Sequence, residues 1–100
     1  MISYEKLVRD RVPEILTAKG VSYEQREATE EEYKQELVRK LEEELAEFKE
    51  NLSSEELGDL IEVIEALKKL PEFVDVEEIR KNKREEKGAF DARYILKGEK

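Results

Sequence analysis

Five acidic side chains in two neighbouring segments could act together on a cation. They belong to EELAE (43–47) and ELGD (56–59) and are Glu43, Glu44, Glu47, Glu56 and Asp59. On a helical wheel of about 100° per residue, Glu44 lies near the middle of an apolar stripe, Glu47 lies on its edge and Glu43 points away. Buried unpaired carboxylates are very costly, so a cluster of them needs a cation or another use.

The residue types that are missing restrict the identity of that cation. The 100 residues contain no Cys and no His. Their absence excludes a disulfide framework, a thiolate zinc site and catalysis by imidazole. Any metal must therefore be held by oxygen atoms, which favours Mg²⁺, Mn²⁺ or Ca²⁺.

Two helices joined by a short turn are predicted to position the acids. A capping-box pattern at Thr29 opens the first helix, which continues to about Leu52, and a second pattern at Ser53 opens a helix that runs to Leu70, before a proline. The apolar stripe of the first helix is Leu37, Leu41, Leu45, Phe48 and Leu52. Glu56 and Asp59 adjoin the apolar positions of the second helix, which are Leu60, Val63, Ala66, Leu67 and Leu70.

The short turn makes the two helices antiparallel neighbours, so residues at equal height face each other. Glu47 then faces Glu56, and Glu44 faces Asp59. The two facing pairs are separated by three residues along each helix, or about 4.5 Å of rise. Four carboxylates can converge on a volume that suits a hydrated Mg²⁺ or two metal ions about 3.5–4 Å apart.

Simpler explanations exist for each acid taken alone. Most Glu runs are solvated faces, which would account for Glu42 and Glu43. Glu56 could serve only as the capping partner of Ser53, and Asp59 could be favoured by a helix N-terminus. The joint placement of four acids on apolar faces favours the metal site.

Gly58 lies inside the second predicted helix, where a glycine costs about 1 kcal/mol relative to alanine. It indicates that another helix or a ligand approaches closely at this point, unless it is simply a tolerated surface glycine.

The remaining segments predict two further helices and two short strands. A helix over 5–19, either continuous or broken near Pro13, is closed by Gly20, and another runs from Val74 to Lys87 with Gly88 as its stop. Alternating residues in 21–27 and the apolar residues of 89–97 could pair as a β ribbon. The predicted fold is a mainly α, antiparallel bundle of about four helices forming a single domain over residues 1–100.

Composition and charge narrow the class of protein. Charged residues make up 46% and hydrophobic residues 38% of the chain, a small core for this length, which predicts a core shared in a homo-oligomer. The formal net charge of −8 argues against binding nucleic acid. No apolar run approaches 18 residues and no signal peptide is visible, so we expect a cytoplasmic protein that does not enter the membrane.

The acidic motifs, together with two further segments, resemble those of a known family. EELAE followed by ELGD resembles the EExxE…ExxD signature of the MazG-like all-α nucleotide pyrophosphohydrolases. The opening YEKLVRDRVPEIL (4–16) and the late KNKREEKGAFDARYIL (81–96) resemble a small subgroup described as phosphoribosyl-ATP pyrophosphohydrolase-like. The resemblance covers almost the whole chain. Only eight residues separate the two acidic motifs, fewer than in many MazG proteins.

This resemblance implies a dimer or higher oligomer that hydrolyses a nucleoside triphosphate or related nucleotide, with Mg²⁺ or Mn²⁺, between the α and β phosphates. It implies Glu44, Glu47, Glu56 and Asp59 as the metal ligands. Glu43 and Glu44 would be catalytic, with Glu43 in a supporting or water-orienting role. The alternative is a catalytically degenerate helical module that binds a nucleotide or a protein.

Phosphate groups also need cationic donors. Our candidates are Lys83, Arg84 and Lys87 near the end of the fourth helix, with Arg9 from the N-terminal segment. Each of these side chains could equally cap a helix or keep the surface soluble.

Overall fold

A computed structural model describes residues 5–99 and shows a mainly α protein. Within that range there are four α-helices and a single 3₁₀ turn at Pro71–Phe73. The helices are α1 (Val12–Ala18), α2 (Glu30–Glu50), α3 (Ser54–Lys68) and α4 (Val76–Lys87). None of the helices in the described range is both long and apolar enough to cross a membrane.

The two helices that carry the acids begin where the capping patterns predict. Thr29 caps α2 through a hydrogen bond from the backbone N–H of Glu32, and the Glu32 side chain accepts one from the Thr29 backbone in return. Ser53 caps α3 by accepting from the backbone N–H of Glu56 at 3.3 Å. These bonds satisfy N–H groups that have no partner inside the helix, so they set the start of each helix.

Packing between α2 and α3 forms the core of the chain. Leu37 of α2 is 3% exposed and Val63 of α3 is 8% exposed, and these are the buried apolar residues of the described range. The predicted stripe on α2 was wrong at Leu45 and Leu52, whereas Phe48 between them is half-buried. Leu45 lies about half exposed on the outer side of the hairpin, and Leu52 is 76% exposed because α2 ends at Glu50 and the turn carries it away from α3.

The ends of the chain differ from the predicted elements. The first helix is only seven residues long, because Pro13 lies in its first turn and residues 5–9 are not helical. Gly20 has a φ of 74°, the left-handed conformation expected after a helix end. The 3₁₀ turn precedes α4, and ion pairs at 3.1 Å join Lys68 of α3 to Glu77 of α4 and Lys34 of α2 to Glu72.

The predicted β ribbon was wrong for the described residues, where neither 21–27 nor 89–97 forms a strand. Tyr23 lies 2.6 Å from the Thr17 hydroxyl, so it packs back on α1 and does not face a second strand. In the tail, Arg93 has a φ of 60°, which interrupts an extended strand. An isolated two-stranded ribbon is only marginally stable in water. The alternating pattern of residues 21–27 favours a strand, but it does not show that residues 89–97 would pair with it.

A matched pair of leucines tests where the core lies. We expect Leu37→Ala to lower the free energy of unfolding by about 2–4 kcal/mol, because it removes a buried side chain from the α2–α3 contact. Leu52→Ala should change it by less than about 0.5 kcal/mol. Urea unfolding followed by circular dichroism measures both, and equal losses in the two variants would contradict this placement of the core.

Candidate metal centre

Three carboxylates converge where α2 and α3 pack near the turn. Glu44 of α2 and Glu56 and Asp59 of α3 each offer an oxygen atom, and these atoms lie within 4.8 Å of one another. The helix caps determine this arrangement, because Ser53 starts α3 and thereby brings its first turn alongside the last turns of α2. Three oxygen atoms at this spacing can surround one small divalent cation.

Burial distinguishes this cluster from an ordinary acidic surface. Glu44 is 9% exposed and is the one buried charged residue among those described. Its Oε2 atom and Oε2 of Glu56 are buried without a hydrogen-bond partner. An unsatisfied buried carboxylate oxygen carries the full cost of losing water, so these two atoms fit the need of a cation for oxygen ligands.

The electrostatic environment raises the pKa of Glu44. Burial is the largest cause, followed by the close approach and negative charge of the Glu47 carboxylate, with Asp59 adding to the repulsion. Lys40, whose Nζ is 3.8 Å from Oε1 of Glu44, acts in the opposite direction but does not cancel the other effects. The helix hairpin therefore holds a carboxylate whose charged form is disfavoured unless a further positive charge arrives.

Glu56 is perturbed in the same direction. Burial raises the pKa of Glu56, and the charges of Glu47 and Asp59 raise it further. The charge of Glu47 thus raises the pKa of Glu44 on its own helix and of Glu56 on α3, as expected of a residue facing Glu56 across the hairpin. A divalent cation would relieve these repulsions together, and carboxylate oxygens suit Mg²⁺ or Mn²⁺.

The predicted acids differ in their proximity to the centre. Glu44, Glu56 and Asp59 form the central set, whereas Glu47 is exposed and its carboxylate falls outside that set. Glu43 is also outside it, and its carboxylate lies 3.7–3.8 Å from the ammonium groups of two lysines, Lys6 and Lys40.

The cations around the cluster include contacts that the sequence reasoning missed. Nη2 of Arg9 donates to Oδ1 of Asp59 at 2.7 Å, although we expected Arg9 to serve a phosphate. No local pattern joins residues 50 positions apart, so this pair had no sequence signal. The spacing of four residues between Lys40 and Glu44, by contrast, is a helical ion-pair spacing and could have been recognised.

The other predicted phosphate donors are all on α4. Lys83, Arg84 and Lys87 are exposed on α4. Among the described residues, no ion pair joins any of the three to a carboxylate of the cluster. Gly58 likewise lacks a close neighbour, since a Cβ built there meets nothing within 4 Å. Close approach of another helix of this chain therefore does not explain that glycine, and the space beside Gly58 is open.

Comparisons with known proteins do not assign the chain to a family. No family model matches the sequence, and no curated protein and no solved structure is significantly similar to it.

Removing the Glu44 charge should stabilise the metal-free protein. Because the pKa of Glu44 is raised in the folded state, its contribution to stability is most favourable at acid pH and is lost as pH rises through the folded-state pKa. In EDTA at neutral pH, we expect Glu44→Gln to raise the free energy of unfolding by about 1 kcal/mol. This gain should disappear as pH falls towards the ordinary carboxyl pKa.

The matched control is Glu42→Gln, which makes the same charge change at an exposed position of α2. It should alter stability by less than about 0.5 kcal/mol at any pH in the series. Urea unfolding between neutral and acid pH measures both variants. A Glu44→Gln protein that is less stable than wild type in EDTA would contradict the repulsive character of the cluster.

Proposed function

We propose that this chain is a Mg²⁺-dependent nucleoside triphosphate pyrophosphohydrolase that releases pyrophosphate and a nucleoside monophosphate. The observation that carries the proposal is the buried Glu44 carboxylate, whose Oε2 atom has no hydrogen-bond partner and whose neighbours are Glu56 and Asp59. A structural acid would be expected to have a partner for each buried oxygen. The resemblance of the acidic motifs to those of MazG-like enzymes supports the same chemistry.

In this proposal Glu44, Glu56 and Asp59 hold Mg²⁺, with Glu47 as a further ligand. When bound there, Mg²⁺ neutralises charge on the phosphate oxygens and helps to align the substrate. Glu43 lies one residue from Glu44 at the rim, where it can accept a proton from, or orient, the attacking water. With no His in the chain, a carboxylate is the available general base.

The proposed phosphate donors are Arg9, Lys83, Arg84 and Lys87. The three on α4 have no ion pair among the described residues, so their N–H groups are available to an anionic ligand. Arginine suits two phosphate oxygens at once, whereas lysine contributes a point charge. Open space beside Gly58 is consistent with a ligand approaching Asp59 from that side.

Pyrophosphate release tests the proposed activity. With a panel of nucleoside triphosphates and Mg²⁺, we expect pyrophosphate and monophosphate as products, identified by ³¹P NMR. Glu44→Gln and Asp59→Asn should each lower the rate by roughly 100-fold or more, because each removes a metal ligand. Glu42→Gln should keep the wild-type rate. Release of orthophosphate and a nucleoside diphosphate would contradict the assignment, and so would full activity in Glu44→Gln.

Thermal melting with Mg²⁺ distinguishes a metal site from a purely structural acidic cluster. At a free Mg²⁺ concentration ten times the Kd, binding to the native state adds about 1.4 kcal/mol of stability. For a domain of this size, that corresponds to a rise in Tm of about 5–10 °C. Glu44→Gln should melt higher than wild type in EDTA yet gain little from Mg²⁺. No Mg²⁺ response in wild type, with or without nucleotide, would favour the helical interaction module.

We also propose that the chain is a homo-oligomer, because it exposes far more surface than a compact monomer. Its accessible surface is 9742 Å², against about 5,900 Å² for a compact protein of this mass. The radius of gyration is 18.0 Å, against about 13 Å for a compact domain of 100 residues. The difference between the two surface areas is larger than the roughly 1,200–2,000 Å² that a specific interface buries.

The surface proposed to meet a second copy is the outer apolar face of the α2–α3 hairpin. Leu57, Ile61 and Ile64 follow helical spacing on α3, and Val38 and Leu45 do so on α2, with each side chain 40–47% exposed. A continuous apolar face on a helix pair is stable when another such face covers it.

Light scattering after size exclusion tests the oligomer. Wild type should have at least twice the 11.8 kDa chain mass, and Ile61→Glu should shift it towards a monomer, because the charge would be buried in the interface. Val74→Glu introduces the same charge at a position that is 81% exposed outside the hairpin, and should leave the mass unchanged. A wild-type mass of one chain at micromolar concentration would contradict the proposal.

A further inference from the structure

The segment of residues 5–11, here called the strap, contacts the acidic residues through two cations. Nη2 of Arg9 donates to Oδ1 of Asp59 at 2.7 Å, and Nζ of Lys6 lies 3.7 Å from Oε1 of Glu43. The strap precedes α1 and has neither helix nor strand structure of its own. Its position beside the candidate metal centre therefore depends on side-chain contacts.

Arg9 engages a carboxylate that the metal centre would use. Asp59 is one of the three residues whose carboxylate oxygens lie within 4.8 Å of one another. A guanidinium is always protonated, so Arg9 supplies a permanent positive charge to this cluster. A divalent cation brings twice that charge and coordinates carboxylate oxygens directly. Arg9 and the cation therefore compete for the negative charge of the Asp59 carboxylate.

We infer that the strap is a displaceable counter-ion, which neutralises Asp59 in the metal-free chain and is released when a divalent cation binds to Glu44, Glu56 and Asp59. This inference rests on the metal centre of the proposed function. Release is favoured because the Arg9 and Asp59 side chains are 59% and 45% exposed, so water can replace each partner and the ion pair contributes little stability.

Release would also change what Arg9 can bind. The guanidinium of Arg9 remains tethered beside the cluster, and its fork of N–H donors matches the oxygen atoms of a phosphate group. One side chain would then serve as counter-ion to Asp59 without metal and as phosphate donor with metal and nucleotide. Binding of the cation would thereby prepare the site for the anionic ligand.

Mn²⁺ binding to the full chain tests the competition. The signal of free Mn²⁺ in an EPR titration gives the Kd for wild type, Arg9→Gln and Arg11→Gln. We expect Arg9→Gln to bind Mn²⁺ about 3- to 10-fold more tightly. Arg11→Gln is the matched control, because Arg11 pairs locally with Glu14 at 3.0 Å and its side chain is 80% exposed. Its Kd should stay within about twofold of wild type.

A spin label tests release of the strap separately from the charge effect. Because the chain has no Cys, a nitroxide can be attached at Asp10→Cys, an exposed position in the strap. Addition of diamagnetic Mg²⁺ should narrow the nitroxide spectrum, as the strap becomes mobile. When Arg9→Gln is added to the labelled chain, the spectrum should already be narrow before Mg²⁺ is present.

The outcomes separate this inference from the proposed function. An Arg9→Gln protein with wild-type Mn²⁺ affinity would overturn the competition while leaving the metal centre in place. A label that does not respond to saturating Mg²⁺ would overturn release of the strap, even if Arg9→Gln tightens Mn²⁺ binding. Failure of wild type and both variants to bind Mn²⁺ at millimolar concentration would overturn the metal centre itself, and the inference with it.

Discussion

The contact between α2 and α3 is the interaction on which both the fold and the candidate site depend. Leu37 and Val63 supply the deepest apolar packing of the described residues, and the same interface brings Glu44 beside Glu56 and Asp59. Apolar burial favours the contact, whereas carboxylate repulsion and dehydration oppose it. The hairpin therefore maintains its acids at some cost in stability, which is common where a site is built for function.

Positive charges from the chain offset part of that cost. Arg9 forms an ion pair with Asp59, Lys40 with Glu44, and Lys6 with Glu43. Their effect is incomplete at the deepest residue, because the pKa of Glu44 stays raised despite Lys40. The cluster thus combines one carboxylate that is buried and poorly compensated, Glu44, with another that is about half exposed and well paired, Asp59. If a divalent cation binds here as proposed, Glu44 would attract it and Arg9 would compete with it.

Local patterns predicted much of this arrangement, and tertiary contacts account for what they missed. The caps at Thr29 and Ser53 and the burial of Glu44 follow from spacing along a single helix, which the sequence displays directly. The partner of Arg9 could not be predicted, because it depends on where a non-helical segment lies relative to α3. Helix length was the other source of error: ending α2 two residues early was enough to move Leu52 from the predicted core into solvent.

The short connection between α2 and α3 also has a consequence for how the chain folds. Only residues 51–53 separate the two helices, so bringing them together costs little loop-closure entropy, and hairpins of this kind form early. The carboxylates would then meet in the step that forms the core. Their repulsion would be present in the folding transition state, and the rate of folding, not only the stability of the folded chain, should depend on the ions in solution.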